Sequence, residues 1–114
     1  MPAIFKICPT PLWREAERRG VFRGSELDVR DGFIHFSTAA QAVETAAKHF
    51  AGQRDLVLVS VDAGRLGDRL KWEPSRGGAL FPHLYGDLDL AAVTAVDPLP
   101  LGADGAHKFP PLKD

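Results

Sequence analysis

A single cysteine, Cys8, stands among the 114 residues, so no internal disulfide can form and packing must hold the fold. There is no His-Glu-x-x-His pattern and no pair of cysteines, which removes the common zinc frameworks. A Gly-x-Ser-x-Gly elbow, a P-loop and a dinucleotide fingerprint are equally absent. Charge of one sign is also scarce. Fourteen basic residues oppose fifteen acidic ones, a formal charge of −1, and Arg14, Arg18 and Arg19 are interleaved with Glu15 and Glu17. Such a balance has no general attraction for a polyanion, so nucleic acid is not an expected partner. The strongest apolar stretch, Leu56 to Val61, is interrupted by Ser60 and falls far short of the roughly 20 residues of a membrane span. The start of the chain lacks the basic residues and long apolar run of a signal peptide. A cytoplasmic location without a membrane partner is the expectation.

What is present describes one α+β domain, expected over residues 1–97, with an irregular tail over 98–114 that is rich in Pro and Gly. Ile4 to Cys8 reads as a strand stopped by Pro9. Thr10-Pro11 suggests an N-cap and first helical residue, with Leu12, Trp13 and Ala16 on the buried face and Gly20 as the stop. Between 21 and 31 only Val21-Phe22 has strand character. Phe33 to Phe36 predicts a strand with Phe33 and His35 on one side. Thr38 and Gln41 have capping-box spacing, and Ala39, Val43, Ala46, Ala47 and Phe50 form the expected buried stripe of a helix ended by Gly52. Leu56 to Val61 predicts a central strand buried on both faces. Further strands are expected at Leu70–Glu73 and Ala92–Val96, around a loop from Pro74 to Gly78. Too few crossover helices separate these strands for a doubly wound parallel sheet.

Two places carry chemistry. His35 lies in an apolar strand and is followed by Ser37 and Thr38 at a strand-to-helix junction, where free backbone N–H groups and the helix dipole suit a phosphate or carboxylate. The same spacing also fits a core histidine satisfied by a backbone carbonyl, with Ser37 and Thr38 as caps. The second place, Glu73 to Gly86, gathers Glu73, Arg76, Phe81, His83 and Tyr85. Either it is a functional loop on a rigid scaffold, or a plain loop with Phe81 and Tyr85 as core anchors. Convergence of His35, His83 and Glu73 would supply two imidazoles and a carboxylate, yet without a metal-binding spacing no metal is expected. Cys8 sits in a strand beside Pro9 with no activating base in sequence reach, which argues against a nucleophile.

Asp31-Gly32-Phe33-Ile34-His35-Phe36-Ser37-Thr38, Leu56-Val57-Leu58-Val59-Ser60-Val61-Asp62 and Phe81-Pro82-His83-Leu84-Tyr85-Gly86, in that order, resemble the domain of unknown function 952 family. With the Trp13 to Gly20 helix, the resemblance covers about residues 3–97. It implies a compact α+β fold similar to that of ADP-ribosyltransferases and RNA 2′-phosphotransferases, with mixed or antiparallel sheets and two main helices. In such enzymes a His or Arg followed by Ser or Thr grips the NAD ribose, which Ile34-His35-Phe36-Ser37 looks like. An aromatic residue stacks on nicotinamide, a role implied for Tyr85 or Phe81. A late-strand Glu polarises the ribose hydroxyl, but Ala92 to Val96 contains none, leaving Glu73 as the substitute. The expected site thus has His83 and Glu73 as catalytic groups and His35, Ser37, Thr38, Arg76, Phe81 and Tyr85 as ligand-binding groups. Its ligand would be a nucleotide-like small molecule, NAD or a relative. The missing late-strand carboxylate equally fits a binding or regulatory domain without catalysis.

Overall fold

β4 (Leu56–Asp62) organises the protein, because its alternate side chains are apolar on both sides. Val57, Val59 and Val61 enter one hydrophobic cluster with Ile4, Trp13, Phe22, Ile34 and Leu84; Leu56 and Leu58 enter another with Phe5, Ile7, Ala42, Ala46 and Leu99. The computed structural model describes residues 3–112, with the side chain of Arg76 also outside the described residues. β1 (Ala3–Pro9) and β8 (Val93–Pro98) flank β4, both antiparallel to it, so the sheet runs β1-β4-β8. The central, doubly buried position expected for 56–61 is the one observed.

Helix α1 (Thr10–Arg19) buries Trp13 and Ala16 and ends in left-handed Gly20. Its N-cap is Pro9, not Thr10 as the sequence suggested: the Thr10 hydroxyl instead donates to the Asp55 carbonyl at 2.9 Å, tying the helix to the start of β4. Helix α2 (Glu26–Asp31) was not foreseen in the polar stretch; Ser25 and Asp28 cap it reciprocally. The Ser-x-x-Asp spacing was its available signal. Helix α3 (Ala39–His49) has the expected Thr38/Gln41 capping box. Its buried stripe is Ala42 and Ala46, whereas Val43 and Ala47 are exposed, so the apolar face is rotated from the one expected. The helix ends at His49 with Phe50 as C-cap, before Gly52.

The segment expected to be a loop after Pro74 returns as a strand. β5 (Leu70–Pro74) pairs antiparallel with β6 (Leu80–Leu84), and β6 pairs with β3 (Ile34–His35), giving the order β3-β6-β5. Backbone bonds between Phe5 and Ser37 join this sheet to β1, and Phe36 N–H donates to the Pro82 carbonyl beyond the β3–β6 pairing. β2 (Val21–Phe22) and β7 (Leu88–Asp89) form a small separate pair. Past β8, Leu99 is buried, and Phe109 and Leu112 pack on the Leu56–Leu58 side. No helix among the described residues is long and apolar enough to cross a membrane.

Candidate functional site

Strand register creates the site. His35 pairs directly with His83 across β3 and β6, and on the next strand Lys71 lies opposite His83 and Glu73 opposite Phe81. Because side chains alternate along a strand and cross-strand partners share a face, His35, Phe81, His83, Lys71 and Glu73 belong to one face of the sheet. The opposite face sends Ile34, Pro82 and Leu84 into the interior. The two imidazoles meet edge to face, with ring centroids 5.4 Å apart. Phe33 stacks on His83 at 4.2 Å and also touches His35 at 4.6 Å and Tyr85 at 5.2 Å.

Each histidine has its own carboxylate. Glu73 Oε1 lies 2.8 Å from His83 Nδ1 and accepts the Tyr85 hydroxyl at 2.8 Å. These two hydrogen bonds, that of His83 first, hold the Glu73 carboxyl below its ordinary range, so it acts as an acceptor. The same contact raises Tyr85, keeping its hydroxyl protonated. The Glu73 contact engages His83 through Nδ1, so Nε2 is the ring nitrogen that Glu73 does not hold.

His35 is held by a deeper group. Its Nδ1 is 2.6 Å and its backbone N 3.1 Å from Asp28 Oδ1. Asp28 also takes Lys6 Nζ, at 3.0 and 2.8 Å, and the Ser25 N–H at 2.8 Å. Lys6 comes from the core side of β1, and the Asp28 side chain is only 1% exposed. Burial alone would raise this carboxyl. The bond from His35, the charge and hydrogen bond of Lys6 and the Ser25 N–H together outweigh burial and hold it well below the usual carboxylate range. Gly24, at φ 104°, is required beside it, since a Cβ there would come within 2.7 Å of Asp28 Cβ. The second ring nitrogen, His35 Nε2, faces Asp31 Oδ2 at 3.1 Å.

The fold therefore brings together His35, His83, Glu73 and Tyr85, with Phe81 on the same sheet face. Ser37 and Thr38 are engaged elsewhere. The Ser37 hydroxyl is buried 3.0 Å from Thr45 Oγ1, and that of Thr38 accepts the Gln41 N–H as the cap of α3. The Arg76 side chain lies outside the described residues. Lys6, Asp28 and Asp31 were missed as site residues. The Ser25-x-x-Asp28 cap was a signal for Asp28 and the four-residue spacing to His35 one for Asp31; nothing local marks Lys6. Phe33 was placed on the His35 side without a role. Two cavities, of about 400 and 230 Å³, lie elsewhere, the first by Thr10, Asp55 and Pro98 and the second by Val43, His107 and Phe109. Among the described residues no group of three or more His, Cys, Asp or Glu is arranged to hold a metal.

The Cys8 thiol, on the same side of β1 as Lys6, donates to the Pro9 carbonyl at 3.4 Å. It is fully buried, and burial pushes its pKa up to about 12. A thiol reagent at pH 8 is expected to leave it unmodified in the native protein and to titrate one group after denaturation; rapid native reaction would contradict the packing.

The geometry defines an α+β protein whose three-stranded antiparallel sheet displays two adjacent histidine–carboxylate pairs. The profile of the family described as "Protein of unknown function (DUF952)" matches residues 7–96, and the chain belongs to that family. It is also similar to protein CC0527 from Caulobacter crescentus: its crystal structure shares 52% identity, with 93% of each chain covered and a TM-score of 0.89. The solution NMR structure of that protein gives 53% identity and a TM-score of 0.84, with 93% of this chain and 91% of that chain covered. No curated protein matches the chain.

Proposed function

We propose that the His35–His83 face binds a nucleotide-like small ligand carrying ribose and phosphate, and acts as a group transferase related in fold to ADP-ribosyltransferases. The observation that carries this reading is the His83–Glu73–Tyr85 array, in which one carboxylate oxygen orients both an imidazole and a phenol beside a second histidine. His83 is the acid/base group, oriented by Glu73, which stands in for the glutamate missing from β8. Phe33 and Tyr85 offer aromatic surface to a planar base, and Tyr85 is 40% exposed. NAD or a related nucleotide is the ligand of that shape.

Calorimetric titration with NAD and ADP-ribose tests binding, and product analysis after incubation with NAD and a nucleophilic acceptor tests transfer. Wild type should bind, and His83→Ala should lose roughly 100-fold or more of any turnover. Absence of binding by wild type, or equal turnover in the variant, would overturn the transferase reading. The lack of Glu in β8 favours a second reading, a binding domain without catalysis. Nucleotide binding with no turnover by wild type would select it.

A further inference from the structure

His35 holds two carboxylates of very different character. Asp28 is buried and takes hydrogen bonds from Lys6, Ser25 and the backbone N–H and Nδ1 of His35. The Asp31 side chain is 34% exposed, meets His35 through Nε2, and has one other ionic contact among the described residues, to the neighbouring Arg30 at 3.5 Å. It is the last residue of α2 and is followed by Gly32 in the left-handed conformation, φ 86°, with open space around it. Asp28 is therefore a fixed support, and Asp31 a replaceable cap on the outward nitrogen.

We propose that the Asp31 carboxylate occupies the ligand's own position on His35, and that the ligand group which displaces it is an oxyanion, a phosphate or carboxylate. This rests on the preceding reading of the face as a ligand site and names the part of the ligand that His35 receives. The His35 ring faces a carboxylate at each nitrogen, Asp28 at Nδ1 and Asp31 at Nε2. Exchanging Asp31 for another anion keeps an anionic acceptor at Nε2, whereas a neutral group would leave the ring with one charged acceptor fewer. Further charged or titratable groups near the ring include Lys6 behind Asp28, His83 across the strand pair, Glu73 and Lys71 on β5, and Tyr85 beyond Phe33. An internal competitor lowers apparent affinity by the fraction of time that it vacates the site, and removing it restores that affinity.

The experiment titrates wild type, Asp31→Ala and Asp31→Glu with inorganic phosphate and separately with ADP-ribose, reading the ¹⁵N and ¹H signals of the His35 ring. In Asp31→Ala, phosphate should perturb His35 Nε2 at a concentration on the order of tenfold lower than in wild type. Asp31→Glu, which restores a carboxylate, should resemble wild type. Equal phosphate response in wild type and Asp31→Ala, or no response of His35 in either, overturns the proposal. A response to phosphate without one to ADP-ribose keeps the oxyanion site and rejects the nucleotide reading, so the two fail separately.

Discussion

Replacing Asp28 with alanine is expected to lower the unfolding free energy by about 3–5 kcal/mol. The loss comes less from the deleted bonds than from what they leave behind. Lys6 is 8% exposed on the core side of β1, so without Asp28 its ammonium is a buried charge with no counter-ion. His35 loses the support of Nδ1 and of its backbone N–H, and Ser25 loses its half of the α2 cap. Lys6→Met combined with Asp28→Leu should be less destabilised than Asp28→Ala alone, because it removes both charges together. Urea denaturation of the three proteins measures this; a loss below about 1 kcal/mol for Asp28→Ala would contradict the buried pair.

The same group sets an acid limit. Its folded pKa is depressed below the ordinary 3.8, so its contribution is present above 3.8 and is lost as pH falls below that value. Wild-type stability should therefore fall with decreasing pH between about 5 and 2. Asp28→Asn should be less stable at neutral pH and show a shallower fall, since its amide does not titrate. Parallel curves for the two proteins would assign acid sensitivity to other carboxylates.

Leu99→Ala is expected to cost about 2–5 kcal/mol, although the residue lies beyond the family match. Leu99 is 1% exposed, packs with Phe5, Ile7, Leu56 and Leu58, and its N–H bonds to the Leu56 carbonyl at 3.0 Å. Truncation after Pro98 should cost more, since it also strips Phe109 and Leu112 from this cluster. A Leu99→Ala variant within 0.5 kcal/mol of wild type in thermal or urea unfolding would show that the second cluster closes without the tail.

Legibility followed the range of the interaction. Local patterns revealed the Thr38/Gln41 box, the Gly20 stop and the apolar run of β4, because each is fixed by neighbours within a few residues. Val43 misled because valine at helical spacing resembles a core residue, while alanines at 42 and 46 allow α3 to approach the sheet closely. Glu73 to Gly86 looked like a loop because Gly77-Gly78 and the polar groups around them suggested one; the glycines only turn the chain from β5 into β6, where Pro82 is buried.

By itself the sequence determined an α+β domain, the family and the doubly buried strand, and it singled out His35, Glu73, His83 and Tyr85 as candidates. Only tertiary structure decided that His35 and His83 are cross-strand partners and that Glu73 reaches His83, because antiparallel register joins residues 48 apart in the chain. It also decided that Lys6 is a buried charge, since that depends on Asp28, 22 residues away, bringing a carboxylate to the same side of β1. Residue type names the chemistry a side chain can perform. Which partner it meets, and whether water reaches it, are set by contacts that no local pattern encodes.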